Sequence, residues 1–123
     1  MINLPSGVDI NNLLDNLRAL SWEAAETLLF YAQILKDSNN KSNILKNDDE
    51  NDPVTLADWK VNEIIIKKIN EKYKSVSWEI LSEENVKLVS NNSEIKSDWI
   101  WILDPLDGTK DFIQGTPNYA MHL

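Results

Sequence analysis

The sequence has no cysteine. That excludes disulfides and any zinc–thiolate centre, and it leaves the compartment unmarked by redox chemistry. Positive charge is scarce: 12 Lys and Arg stand against 20 Asp and Glu, a formal net charge of -8. A nucleic-acid-binding surface would be basic, so no nucleic acid partner is expected. No apolar run reaches the length of a membrane span, and no membrane partner is expected. Residues 1–7 carry neither the basic nor the apolar region of a secretion signal, and the expectation is a cytoplasmic protein. Glycine is limited to 3 residues, with no Gly-rich loop, internal repeat or low-complexity tract. His122 is the only histidine. On a short apolar run such a residue is ordinarily packed, and no role is assigned to it.

What is present is ordinary for a globular domain. The chain has 123 residues, 42% hydrophobic and 26% charged, enough for one core. Asp9 can cap a helix starting near Ile10. Ile10, Leu13, Leu14, Leu17, Ala24, Leu28, Ala32 and Leu35 then follow helical spacing, as one long helix or as two with a restart capped by Ser21. Residues 37–52 are polar and read as a loop, with Ser42 to Lys46 as one strand of a hairpin. The acidic cluster Asp48, Asp49, Glu50 and Asp52 lacks the Gly and terminal Glu of a calcium loop and reads as solvated surface. Thr55 and Asp58 match a capping box for a second helix, whose apolar line is Val61, Ile65, Ile69 and Tyr73. As a cap, Asp58 already has an ordinary explanation.

Val76 to Ser82 alternates as a strand, ended by Glu83 and Glu84. Residues 85–98 read as a surface excursion between paired strands. Trp99-Ile100-Trp101-Ile102-Leu103 is a short core strand, and Asp104-Pro105-Leu106-Asp107-Gly108 has the chemistry of a tight turn. Phe112-Ile113 and Tyr119 to Leu123 read as the next strand, with Gly115 to Pro117 as a turn. The fold class is α+β: two packed helices on an antiparallel sheet.

The turn concentrates the chemistry. Asp104 and Asp107 can face the same way, and two crowded carboxylates repel unless a cation lies between them. Oxygen donors alone favour a hard ion such as Mg²⁺. The amides of Gly108, Thr109 and Lys110 can open a short helix and offer an anion site beside it. The alternative is a strand-ending turn with solvated Asp side chains.

Three segments resemble the inositol monophosphatase family of Mg²⁺-dependent, Li⁺-sensitive phosphatases. Residues 101–113, with Asp-Pro-Leu-Asp-Gly-Thr at their centre, resemble the metal-binding signature. Ser82-Glu83-Glu84 is similar to the Gly/Ser-Glu-Glu motif, and Val54-Thr55-Leu56-Ala57-Asp58 to the Val-Thr-x-x-Asp motif. Lys110, Leu81-Ser82-Glu83-Glu84 and the Tyr119–Leu123 tail look most like the 3′(2′),5′-bisphosphate nucleotidase branch, which converts 3′-phosphoadenosine 5′-phosphate to AMP. Inositol 1-phosphate is the alternative substrate, and a non-catalytic metal-binding or interaction domain is the alternative class.

The resemblance implies a layered α/β sugar-phosphatase-like fold, of which residues 1–123 would be the N-terminal, metal-binding half. It implies that Glu83, Asp104, the carbonyl of Leu106 and Asp107 hold two or more Mg²⁺ ions, with Asp104 bridging. Asp58 and Thr109 would orient and deprotonate the attacking water, and the amides of Gly108 and Thr109 would hold phosphate oxygens. The partner is a small phosphorylated substrate, with a homodimer for the full-length protein. The family's second half supplies a further metal ligand and most of the pocket, so the 123 residues alone are expected to be inactive or very weak. A rival Asp-x-Asp-Gly-Thr phosphatase motif, whose first Asp is a nucleophile, fails on spacing. The residue two before Asp107 is Pro105, which cannot attack phosphorus.

Overall fold

The computed structural model describes residues 3–37, 45, 55–88 and 96–123, with the backbone alone for 86–88. The acidic cluster at 48–52 lies outside the described residues, as does most of the expected hairpin. Leu45 does form an isolated antiparallel bridge with Thr55.

Helix α1 spans Ile10–Lys36 without interruption. No Pro or Gly breaks it, and the Asp9 carboxylate caps it by accepting the Asn12 N–H at 2.9 Å. Ser21 caps no restart: its hydroxyl donates to the carbonyl of Arg18 within the same helix. Leu13, Leu20, Ala24, Leu28 and Leu35 are buried, in steps of seven and four. Ile10 and Leu14, which the sequence reading put on the inner stripe, are 46% and 42% exposed, and Leu20 takes the inner position. Over 27 residues a stripe assembled locally drifts off the true contact line.

Helix α2 spans Leu56–Lys72 and begins with the expected capping box. Ala57, Val61, Ile65 and Ile69 of α2 meet Leu20, Ala24, Leu28 and Leu35 of α1. Leu103, Leu106 and Phe112 join the same core; α2 packs on the strand Ile100–Asp107, and α1 touches α2, the strand Ala120–His122 and the helix Thr109–Gln114. Burying each of these large side chains contributes roughly 1.5–3 kcal/mol.

Strand β1 (Glu79–Ser82) leads directly into helix α3 (Glu83–Leu88); strand β2 (Ile100–Asp107) leads into helix α4 (Thr109–Gln114); strand β3 (Ala120–His122) follows. The sheet order is β1-β2-β3. It is mixed rather than antiparallel: β1 and β2 run parallel, pairing Ser82 with Leu103, and only β2–β3 is antiparallel. Parallel neighbours need a crossover of a dozen or more residues, and the stretch from Ser82 to Ile100, which includes α3, supplies it. Phe112 and Ile113 belong to α4, not to a strand; Phe112 is buried and packs edge-on against Tyr119 at 4.9 Å. An apolar pair this short carries no period by which to tell strand from helix.

The sheet's outer surface carries Leu81 and Ile102, which are direct partners in the β1–β2 register. Both are exposed, Ile102 at 69%.

Candidate active site

The residues expected to form a turn at Asp104–Gly108 continue β2 as far as Asp107. The departure from regularity is a bulge. Asp104 faces His122 and Asp107 faces Ala120, so three steps on β2 match two on β3. In a regular strand, residues three apart point to opposite faces. The extra residue brings Asp104 and Asp107 to one face. Pro105 sits inside the bulge, where the ladder is already broken and its missing N–H costs nothing. The Asp104 carboxylate accepts the Leu106 N–H at 3.2 Å, closing the bulge on itself.

Glu83 reaches the same place from the neighbouring strand. Ser82 pairs with Leu103, so the residues that follow them, Glu83 just past the end of β1 and Asp104 within β2, stand side by side. Their carboxyl groups are in hydrogen-bond contact. Partial burial, the bond to Glu83 and the charge of Glu83 push the Asp104 carboxyl from its usual 3.8 up to about 6, with a smaller push from Asp107. Glu84 is buried, which leaves Glu83 as the accessible member of the pair.

Asp58 approaches from α2. It is almost fully buried, and its two oxygens have separate duties. One accepts the Thr55 N–H at 2.8 Å and the Thr55 hydroxyl at 2.6 Å. The other accepts the Thr109 hydroxyl at 3.2 Å. Burial raises the Asp58 pKa, and the hydrogen bonds from Thr55 and Thr109 oppose that rise. The cap and the link to Thr109 therefore coexist on one carboxylate. The single Thr109 hydroxyl hydrogen has a second acceptor, the Leu106 carbonyl at 3.0 Å.

Gly108 joins β2 to α4 with φ +82°. A Cβ there would stand 2.3 Å from the Asn118 carbonyl oxygen. Conformation and space both demand glycine, and the close approach pins the start of α4 beneath the loop before β3.

Two features escaped sequence reasoning. His122 lies on the carboxylate face opposite Asp104, with Nδ1 4.0 Å from Asp107 Oδ2. Asn62, one turn after Asp58, bonds both Ser82 and Asn85 around Glu83. Nothing in the sequence pattern marked Asn62; a polar residue at a core-facing helix position was the available signal.

The donors suit a hard cation in kind. They are all oxygen, and the Glu83 and Asp104 carboxyl groups stand side by side, a place a divalent ion can take. Among the described residues, no three or more His, Cys, Asp or Glu side chains are gathered into a ready-made cage.

The comparisons agree with one another. The model of the inositol monophosphatase family matches residues 9–123. Inositol monophosphatase 1 of Sus scrofa is 37% identical over 84 residues, covering 68% of this chain and 29% of that protein. The 3′(2′),5′-bisphosphate nucleotidase CysQ of Haemophilus influenzae is 35% identical over 75 residues, covering 59% and 26%. The crystal structure of the extragenic suppressor protein suhB from Bartonella henselae superposes with a TM-score of 0.63 at 24% identity, over 89% of this chain and 38% of that one. The chain thus spans under a third of the length of these curated relatives. The family model covers nearly the whole chain and the superposition shows the same fold, and the chain belongs to the inositol monophosphatase family.

Proposed function

We propose that these 123 residues are the metal-binding part of an inositol-monophosphatase-like domain, and that the reaction is Mg²⁺-dependent hydrolysis of a phosphate monoester. The preferred substrate in this reading is 3′-phosphoadenosine 5′-phosphate, giving AMP and phosphate. The observation that carries it is the meeting of Glu83 and Asp104 beside the Asp58–Thr109 hydrogen bond.

Glu83, Asp104, Asp107 and the Leu106 carbonyl would hold Mg²⁺. When bound, the metal supplies a more acidic water and charge neutralisation for the phosphate. The rest is done by the chain. With its hydrogen on Asp58, the Thr109 hydroxyl turns its lone pairs outward to accept from a water and fix that water's direction. Asp58, buried and held from both sides, keeps the hydroxyl in place, and its raised pKa makes it a better proton acceptor than a solvated carboxylate. The amides of Gly108 and Thr109, at the start of α4, take phosphate oxygens.

The nucleotide is favoured by Lys110 and by the Leu81–Glu84 pattern. A second reading, inositol 1-phosphate, is favoured by the 37% identity to inositol monophosphatase 1 over the longer stretch. Phosphate release by the gene's complete protein product, from each substrate with Mg²⁺ or with chelator, separates them. A higher kcat/KM for the nucleotide supports the first reading and a higher value for the inositol phosphate the second. No Mg²⁺-dependent release from either leaves a non-catalytic domain.

A further inference from the structure

Helix α2 offers the site two polar side chains one turn apart. Asp58 reaches Thr109. Asn62, also buried, reaches the two residues that bracket the Glu83–Glu84 pair. The Ser82 hydroxyl donates to Asn62 Oδ1, and Asn62 Nδ2 donates to Asn85 Oδ1 at 3.1 Å. Ser82 is the last residue of β1 and has no exposed surface; Asn85 is in the first turn of α3. The corner between β1 and α3, from which Glu83 projects, is therefore tied to α2 before and after the glutamate.

Strand pairing does not require these bonds, since β1 pairs with β2 through its backbone. A side-chain amide accepts from a hydroxyl at its oxygen and donates to a second amide from its nitrogen at once, which no aliphatic side chain can do. Buried polar links of this kind select one orientation, because every alternative leaves a group unsatisfied.

We infer that Asn62 is a positioning residue that fixes where the Glu83 carboxylate stands relative to Asp104. It acts through Ser82 and Asn85 and touches no substrate. Helix α2 then serves as a common reference for both arms of the site, holding Thr109 through Asp58 and Glu83 through Asn62. The inference rests on the proposed metal-binding role of Glu83 and Asp104.

The test uses the gene's complete protein product with Mn²⁺ as the probe and two readouts: Mn²⁺ affinity from water-proton relaxation, and paramagnetic broadening of the Glu83 and Gly108 amide signals. In the unaltered chain both amides broaden together. In Asn62→Leu, Gly108 still broadens, Glu83 broadens less relative to it, and the Kd rises about tenfold. Ser82→Ala, which removes the other half of the link, changes the ratio in the same direction and carries the test if Asn62→Leu does not fold. Ile69→Val, a core change remote from the link, lowers stability but leaves the ratio and the Kd alone. An unchanged Glu83 to Gly108 ratio in the folded variants, or an equal change in Ile69→Val, overturns the inference. Glu83→Gln checks the parent reading separately. If it leaves Mn²⁺ affinity untouched, or if the unaltered chain binds no Mn²⁺, the metal site itself fails and this inference with it.

Discussion

Replacing Asp104 by Asn should stabilise the metal-free protein and abolish its response to metal. The folded state raises the Asp104 carboxyl from 3.8 to about 6, so it binds a proton more tightly than the unfolded chain does. Stability therefore falls as pH rises from about 4 to 6, and the full penalty is present at pH 7.5. At about 1.36 kcal/mol per pH unit the rise converts to roughly 3 kcal/mol. Asp104 is only half-buried, and solvent screening reduces the figure to about 1 kcal/mol. Asn keeps the oxygen that accepts the Leu106 N–H and places a true donor against Glu83.

Thermal unfolding followed by circular dichroism reads the outcome. With chelator at pH 7.5, Asp104→Asn should melt about 3–6 °C above the unaltered chain. Below about pH 4 the advantage should vanish, because both carry a neutral group there. With Mg²⁺ at ten times its Kd, the unaltered chain should gain about 1.4 kcal/mol and the variant nothing. A variant no more stable than its parent at pH 7.5, or an equal response of both to Mg²⁺, would refute the claim that these carboxylates are crowded for a cation.

Gly108→Ala should lower stability by about 2–4 kcal/mol in a urea titration, because it adds left-handed strain to a clash with the Asn118 carbonyl. Thr109→Val should cut phosphate release by the complete protein product by about 10²-fold with little change in melting temperature, whereas Thr109→Ser should keep most of it. Ile65→Ala, in the α1–α2 core, should cost about 2–5 kcal/mol by the same urea assay. Ile102→Glu, on the open sheet face, should change stability by less than about 0.5 kcal/mol and reduce self-association seen by sedimentation.

The parts of the structure that depend on near neighbours were legible in the sequence. Asp9 and the Thr55–Asp58 box announced the starts of the two long helices. The parallel pairing of β1 with β2 was not legible. Periodicity says which residues are buried, not which way the next strand runs, and the crossover carries no strong helical pattern. Nor was the buried carboxylate of Glu84 distinguishable from Glu83 by composition; only the three-motif resemblance separated them. The contact of Asp58 with Thr109 spans 51 residues, so no local rule could supply it. Asn62 lay hidden for the same reason: its two partners are 20 and 23 residues away.

The bulge at Pro105 makes the spacing of the two aspartates a matter of parity. A substitution at Pro105 or Leu106 alters the fit by degrees. Deleting either residue would restore the alternation of an unbroken ladder, yet the two aspartates would then lie two apart and the bond from the Leu106 amide that folds the bulge would have no place. Inserting one would put the aspartates four apart, on one face of a regular ladder again but too widely spaced to converge as they do across the bulge. Evolution and protein engineers alike can therefore edit the letters between the aspartates far more freely than their number.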